Sequence, residues 1–379
     1  MRRVALPILL LSLSLPLHAQ PDGEKITNGV PDHLHPTVGL FITDGECTAT
    51  LIGCRTVLTA AHCICGDHLG GVECAARPDL VSPAGKSVFF QHAGLFALSS
   101  LAVSPAYNRY TGISDVAILH LAAPVTNIAP SPLNRTVHPP PGLTGEIVGF
   151  GSTRTNSTDD GIKRRGLVRT APCDPPAPGF VCWNFRRPLG PPGSNSDTCF
   201  GDSGGPLFLS IGGRTVLAGV TSSGTNSECA PVDNSFDADV LSDLAWIQSE
   251  GGADLDSTTC GPGPQIGGPG TAILGSDGAL SRRHREEAST VEVPTGTAEL
   301  RVALNSADWF ANANALYLRH GAPASPAAFD CKSDANSGQQ LCRIQNPAPG
   351  TWHILIRHLY GTGGRIQVTA TLIARQAPR

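Results

Sequence analysis

Apolar residues fall in short runs separated by turn formers along most of this chain. Val38-Gly39-Leu40-Phe41-Ile42, Thr56-Val57-Leu58, Val116-Ala117-Ile118-Leu119 and Val216-Leu217-Ala218-Gly219-Val220 have the length and side-chain content that suit a pleated, half-buried surface, and they predict strands. Leu300–Leu304, Ala315–Leu318 and His353–Ile356 alternate apolar with polar positions. That pattern predicts a small β-sandwich over residues 279–374. Val240–Ile247 instead carries apolar residues at helical spacing, and predicts a helix that ends a first domain near residue 250. Between the two domains, residues 251–278 are rich in Gly, Pro, Ser and Thr and read as a flexible or extended linker that Cys260 could tie down.

Composition agrees with an all-β fold class. The 379 residues include 43 glycines and 32 prolines but one methionine and few aromatics, which suits a loop-rich β protein of two domains. The formal charge of −4 gives no case for nucleic-acid binding. Residues 1–19 place Arg2 and Arg3 before an apolar run to Leu17 and then Ala19, the pattern of a signal peptide. No later stretch approaches the roughly 20 apolar residues of a membrane span. The expected location is therefore secreted, either extracellular or periplasmic. Twelve cysteines in such a chain are expected to form disulfides. His62-Cys63-Ile64-Cys65 with Cys74 could alternatively hold zinc. Export favours disulfides, and neither metal nor cofactor is expected. Lys163-Arg164-Arg165 and Arg282–Glu287 read as solvated loops, the first also as an internal cleavage site.

The chemistry concentrates in Thr198-Cys199-Phe200-Gly201-Asp202-Ser203-Gly204-Gly205-Pro206-Leu207. A serine hydroxyl needs a base to take its proton and donors to stabilise the oxyanion its attack creates. Gly201 can present a bare N–H for the second task. The looser pattern Gly201-x-Ser203-x-Gly205 also fits an esterase-type elbow. An elbow hydrolase, however, needs a helix after the serine and a histidine later in the chain. Pro206-Leu207-Phe208-Leu209 reads as a strand, and His284, His320, His353 and His358 stand in no comparable motif. Upstream, Thr59-Ala60-Ala61-His62-Cys63 supplies a histidine, and Ser114-Asp115 opens the apolar run at Val116.

With His62, Asp115 and Ser203 in that order, residues 26–250 resemble the chymotrypsin/trypsin-like serine endopeptidases. The resemblance implies a pair of six-stranded antiparallel β-barrels with a site in the cleft between them. It implies Ser203 as nucleophile, His62 as general base and then acid, and Asp115 as the residue that holds the imidazole. Gly201 and Ser203 would supply the oxyanion-hole N–H groups. Asp197, six residues before Ser203, resembles the base of a primary pocket for Arg or Lys, and Ser222 and Gly224 resemble the strand that pairs with substrate backbone. Ser223 stands where the family usually has tryptophan, and Ser235 where trypsin keeps a glycine.

Residues 20–25 would be a short propeptide. Cutting after Lys25 would free the amine of Ile26 to pair with Asp202, making the chain a zymogen, although Thr27-Asn28 replaces the family's valine and glycine. The resemblance also implies the pairs Cys47–Cys63 and Cys199–Cys229. Cys173–Cys182 would fit a shortened loop of that family, Cys65–Cys74 would staple a local insertion, Cys331–Cys342 would sit in the C-terminal region, and Cys54 with Cys260 are paired only by elimination. Phe329-Asp330-Cys331, Cys342 and Asn346–Trp352 resemble the bacterial pre-peptidase C-terminal domain appended to secreted proteases. That domain would be a secretion, attachment or docking module, or a passive and removable tail. The expected partners are polypeptide substrates and protein inhibitors of a monomer, with no membrane partner. A catalytically silent binding protein on the same scaffold is the alternative.

Overall fold

The computed structural model describes residues 26–375, so the expected signal peptide, the propeptide and Lys25 lie outside the described residues. Strands Val38–Ile42, Glu46–Leu51, Thr56–Thr59, Ser87–Phe90, Gly94–Val103 and Ala117–Leu121 close a first antiparallel barrel. Phe41, Ala49, Val57, Val88 and Leu119 fill it. A second barrel contains Thr144–Gly149, Arg164–Ala171, Phe180–Phe185, Pro206–Ile211, Arg214–Gly224 and Asp233–Asp239. It closes because Thr144–Gly149 pairs with both Pro206–Ile211 and Arg164–Ala171. Between the barrels, Leu40, Leu58, Ile118, Phe150, Phe208 and Val220 share one core. Two packed barrels thus leave a cleft whose walls are loops from both.

The closing helix is Leu244–Gly251, later than its apolar pattern suggests. Val240 still donates its N–H to Ala218 of the neighbouring strand, and the Ser242 N–H closes a turn onto the Asp239 carbonyl before the helix starts. The segment read as linker also differs from expectation. Gly252–Asp256 forms a 3₁₀ turn, and Thr271–Ser281 is already a sandwich strand, paired along its whole length with Gly363–Ala374. Backbone pairing supplies the order that local Gly and Thr content conceals. Cys54–Cys260 fastens this segment to the first barrel.

The C-terminal domain stacks two four-stranded antiparallel sheets around Leu300, Val302, Leu316, Leu318, Ile354, Ile356 and Val368. It is fastened to the barrels by buried polar contacts. Arg301 donates to the carbonyl oxygen of His92 at 2.9 Å and to Asn127 Oδ1 at 2.8 Å. Gln367 accepts from the Lys163 N–H at 3.2 Å and donates back to the Lys163 carbonyl at 3.1 Å. Buried polar groups that bond across a junction resist its opening, because separation leaves those bonds to be replaced. Lys163 and Arg164 are accordingly not a solvated loop. Both side chains are buried; Lys163 Nζ donates to the carbonyl oxygen of His35 at 2.7 Å and lies 3.5 Å from Asp32, while Arg164 pairs with Asp159 at 3.1 Å.

Candidate active site

His62 begins a short helix, His62–Cys65, immediately after the strand Thr56–Thr59, so the barrel edge delivers its ring to the cleft. Asp115 is buried at the mouth of Ala117–Leu121, following Ser114 at φ +56°. Its carboxylate accepts the His62 backbone N–H at 2.9 Å and faces Nδ1 of the same residue at 2.6 Å. One carboxylate therefore fixes both the position of the histidine backbone and the tautomer of its ring, since an N–H at Nδ1 leaves Nε2 as the basic nitrogen. A third bond was not foreseen: Ser222 Oγ donates to Asp115 Oδ2 at 2.7 Å. The ladder between Arg214–Gly224 and Asp233–Asp239 shifts register between Thr221 and Ser223, leaving Ser222 as the extra residue of a bulge. A bulge re-aims its side chain, here toward Asp115.

Ser203 arrives from the second barrel. Its carbonyl oxygen accepts the Thr48 N–H at 2.8 Å and lies 3.7 Å from Sγ of Cys63, the residue next to His62. Cys47–Cys63 locks that side of the cleft and Cys199–Cys229 locks the serine loop. Two glycines make the approach possible. A Cβ on Gly204 would lie 2.1 Å from Thr59 Oγ1, and one on Gly201, at φ +91°, would lie 2.8 Å from Gly151 Cα. Neither the Gly201 nor the Ser203 N–H has a backbone acceptor among the described residues. A cavity of about 240 Å³ is lined by His62, Tyr107, Tyr110, Asp115, Ser222 and Ser223.

Asp197 is fully buried below this loop. Its Oδ1 accepts from Ser235 Oγ and from Trp183 Nε1, the latter at 3.2 Å. Burial, together with the neighbouring Asp233 carboxylate, pushes its carboxyl well above the ordinary range. Asp233 was not singled out in the sequence, where a lone acid in a polar loop gives no signal. It also faces Gly224, on which a Cβ would lie 2.6 Å from its Oδ2. Asp202, fully buried, accepts from the N–H groups of Gly151 and Cys199 at 2.9 Å each. Burial still pushes its carboxyl up to about 7, against the pull of those bonds and of Arg164. Ile26 is buried in the second barrel with Ile147, Val168, Trp183 and Leu207.

The remaining disulfides are Cys65–Cys74, Cys173–Cys182 and Cys331–Cys342. Cys63 is bonded to Cys47 and Cys65 to Cys74, so none of these sulfurs is a free thiolate.

Residues 26–247 match the family described as Trypsin, and residues 287–358 match the bacterial pre-peptidase C-terminal domain. The chain is 31% identical over 230 residues to Serine protease SSP1 of Scolopendra subspinipes, covering 54% of this chain and 72% of that protein. It is 31% identical over 198 residues to Trypsin of Saccharopolyspora erythraea, covering 50% of this chain and 82% of that protein. Kallikrein-7 of Homo sapiens is 28% identical over 262 residues, covering 65% of this chain and 96% of that protein.

Proposed function

Because this chain belongs to the trypsin family of serine endopeptidases, we propose that it cleaves polypeptides after Arg or Lys through an acyl-enzyme on Ser203. The observation that carries the reading is Asp115, which binds His62 through both backbone and ring and so presents Nε2 as a base. His62 takes the Ser203 proton as Oγ attacks the scissile carbonyl, and then gives it to the leaving amine. Asp115 stabilises the imidazolium formed in between, helped by Ser222. The N–H groups of Gly201 and Ser203 receive the oxyanion. Water then attacks the acyl-enzyme by the same proton route in reverse. Asp197 binds the guanidinium or ammonium of the residue before the cut, and Ser222 and Gly224 lie along the substrate-pairing edge. Protein inhibitors that present such a residue would occupy the same cleft.

The enzyme is made as an exported zymogen in this reading. Six disulfides favour an oxidising compartment, and no helix among the described residues is long and apolar enough to cross a membrane. Cleavage after Lys25 frees the Ile26 amine to meet Asp202. Before the cut, the Asp202 carboxyl near 7 lies above its unfolded value. The folded chain then binds a proton that the unfolded chain has released, so stability falls as pH rises between about 4 and 7. An arriving ammonium lowers the folded value and removes that loss. The melting temperature of the uncut chain should therefore drop over this range more than that of the cut chain, and parallel curves would refute the pairing.

The decisive experiment measures initial rates on peptide amides ending in Arg, Lys or Phe, before and after limited trypsin treatment. Activity that rises on Arg or Lys after the cut supports the whole reading. Activity on Phe alone would keep the Ser203 chemistry and remove Asp197 from specificity.

A further inference from the structure

We propose that the C-terminal sandwich is a built-in positioning element for the oxyanion loop, with Trp309 acting through Glu46 and Asp160 to hold Gly201 in place. This rests on the role given to Gly201 above. Trp309 belongs to the sandwich, yet it is buried in the same apolar cluster as Val38, Phe150 and Phe208 of the barrels. Its Nε1 donates to Glu46 Oε2 at 2.5 Å. The other oxygen of Glu46 abuts the oxyanion loop, since a Cβ on Gly201 would lie 2.6 Å from Oε1. A single side chain thus has the sandwich on one oxygen and Gly201 on the other.

A second line of contacts runs through the segment 149–163. The Asp308 N–H donates to the Asp160 carbonyl at 3.0 Å, and Gln339 Nε2 to the Gly161 carbonyl at 3.3 Å. Gly161 can approach this closely only as glycine, because a Cβ there would lie 2.6 Å from the Ser306 carbonyl oxygen and 3.0 Å from Trp309 Cβ. At its other end the same segment grips the serine loop, where Gly151 N–H donates to Asp202 Oδ1 at 2.9 Å and Ser152 N–H to the Phe200 carbonyl at 2.7 Å. The sandwich, this segment and the oxyanion loop are therefore continuous through direct bonds, and the domain is built in rather than appended.

The charge state of Glu46 matters for the same reason. Its side chain hydrogen-bonds Asp160, and two carboxyls in one part-buried site cannot both ionise cheaply. Burial, reinforced by Asp160 and Asp202, pushes Glu46 up to about 9, against the Trp309 N–H, so it carries the proton and donates it to Asp160. Asp159 and Asp308 face Asp160 as further acids, and Arg164 is the cation that faces Asp159, Asp160 and Asp202. Neutral Glu46 sets no negative charge beside an oxyanion at Gly201; ionised Glu46 would. Electrostatic preorganisation of this kind changes the barrier more than substrate affinity.

The test uses the full chain after cleavage, with active sites counted by a covalent serine reagent. Trp309→Ala should lower kcat per labelled serine by about tenfold, with KM within about twofold of the parent. Glu46→Gln keeps an acceptor for Trp309 and a donor for Asp160. It should retain kcat at neutral pH within about twofold and show a smaller fall in activity at alkaline pH than the parent. Hydrogen exchange at residues 149–161 and 199–204 should speed up in Trp309→Ala. Trp309→Phe, which keeps the ring packing and removes the N–H, gives a smaller change in the same direction if the alanine variant does not fold. Fewer labelled serines with kcat per site unchanged would mean mere fold support and would overturn the proposal, as would unchanged exchange. Parent enzyme inactive on every amide refutes the Ser203 reading, whereas the exchange comparison still decides the interface.

Discussion

Ser203→Ala should reduce kcat on an Arg or Lys peptide amide by about 10⁶-fold and abolish labelling by a phosphonylating reagent, while leaving the melting temperature within a few degrees of the parent. The size follows from what the hydroxyl does. Without Oγ there is no acyl-enzyme, and His62 has no proton to take at the right place. His62→Ala should cost about as much, because serine and histidine act as one unit and their losses do not add. Asp115 faces His62 through two bonds and Ser222 through a third, so Asp115→Asn disturbs tautomer and ring position together and belongs to the same coupled set. Steady-state rates on the three variants, beside active-site titration, check this directly. Turnover unchanged in Ser203→Ala would sink the mechanism, whereas a parent chain inactive on every amide would return weight to a binding protein on a protease scaffold.

The next largest change is expected at the pocket base. Asp197→Ser should lower kcat/KM on Arg and Lys substrates by about 10²- to 10⁴-fold, the equivalent of about 3–5 kcal/mol for removing one partner of a buried charge pair. Phe substrates, which bring no charge, should lose far less. The wild-type pH dependence carries a matching signature. In the free enzyme, burial and Asp233 raise the Asp197 carboxyl well above its ordinary range. A substrate cation binds the ionised form, so it must displace that proton. KM for Arg substrates should therefore rise as pH falls, and Phe substrates should not show the same slope. Asp233→Asn removes the neighbouring negative charge, lowers the Asp197 value and should flatten the slope. Equal pH dependence for Arg and Phe substrates would take Asp197 out of the pocket.

How much of this was legible beforehand depended on whether the signal was local. His62, Asp115 and Ser203 were singled out because each stands in a compact sequence context, and of these the structure brings Asp115 against His62. Strands such as Val38–Ile42 were found because a pleated surface imposes its pattern on consecutive residues. Lys163 and Arg164 were misread because burial of a charge is not written in neighbouring residues. Asp32 and His35 receive the lysine from far upstream, and the local pattern of three cations resembled any exposed loop. The strand Thr271–Ser281 was missed for a similar reason, since its order comes from pairing with Gly363–Ala374 at the far end of the chain.

Chemistry and fold class are thus properties of short segments, which residue type and period fix before the chain has folded. The bulge that turns Ser222 toward Asp115, the Asp233 carboxyl beside Asp197, and the Trp309–Glu46 contact under Gly201 arise only once segments distant in sequence are packed together. Their energies depend on distance, burial and shared protons. Those quantities exist only in three dimensions, so no reading of adjacent residues could have supplied them.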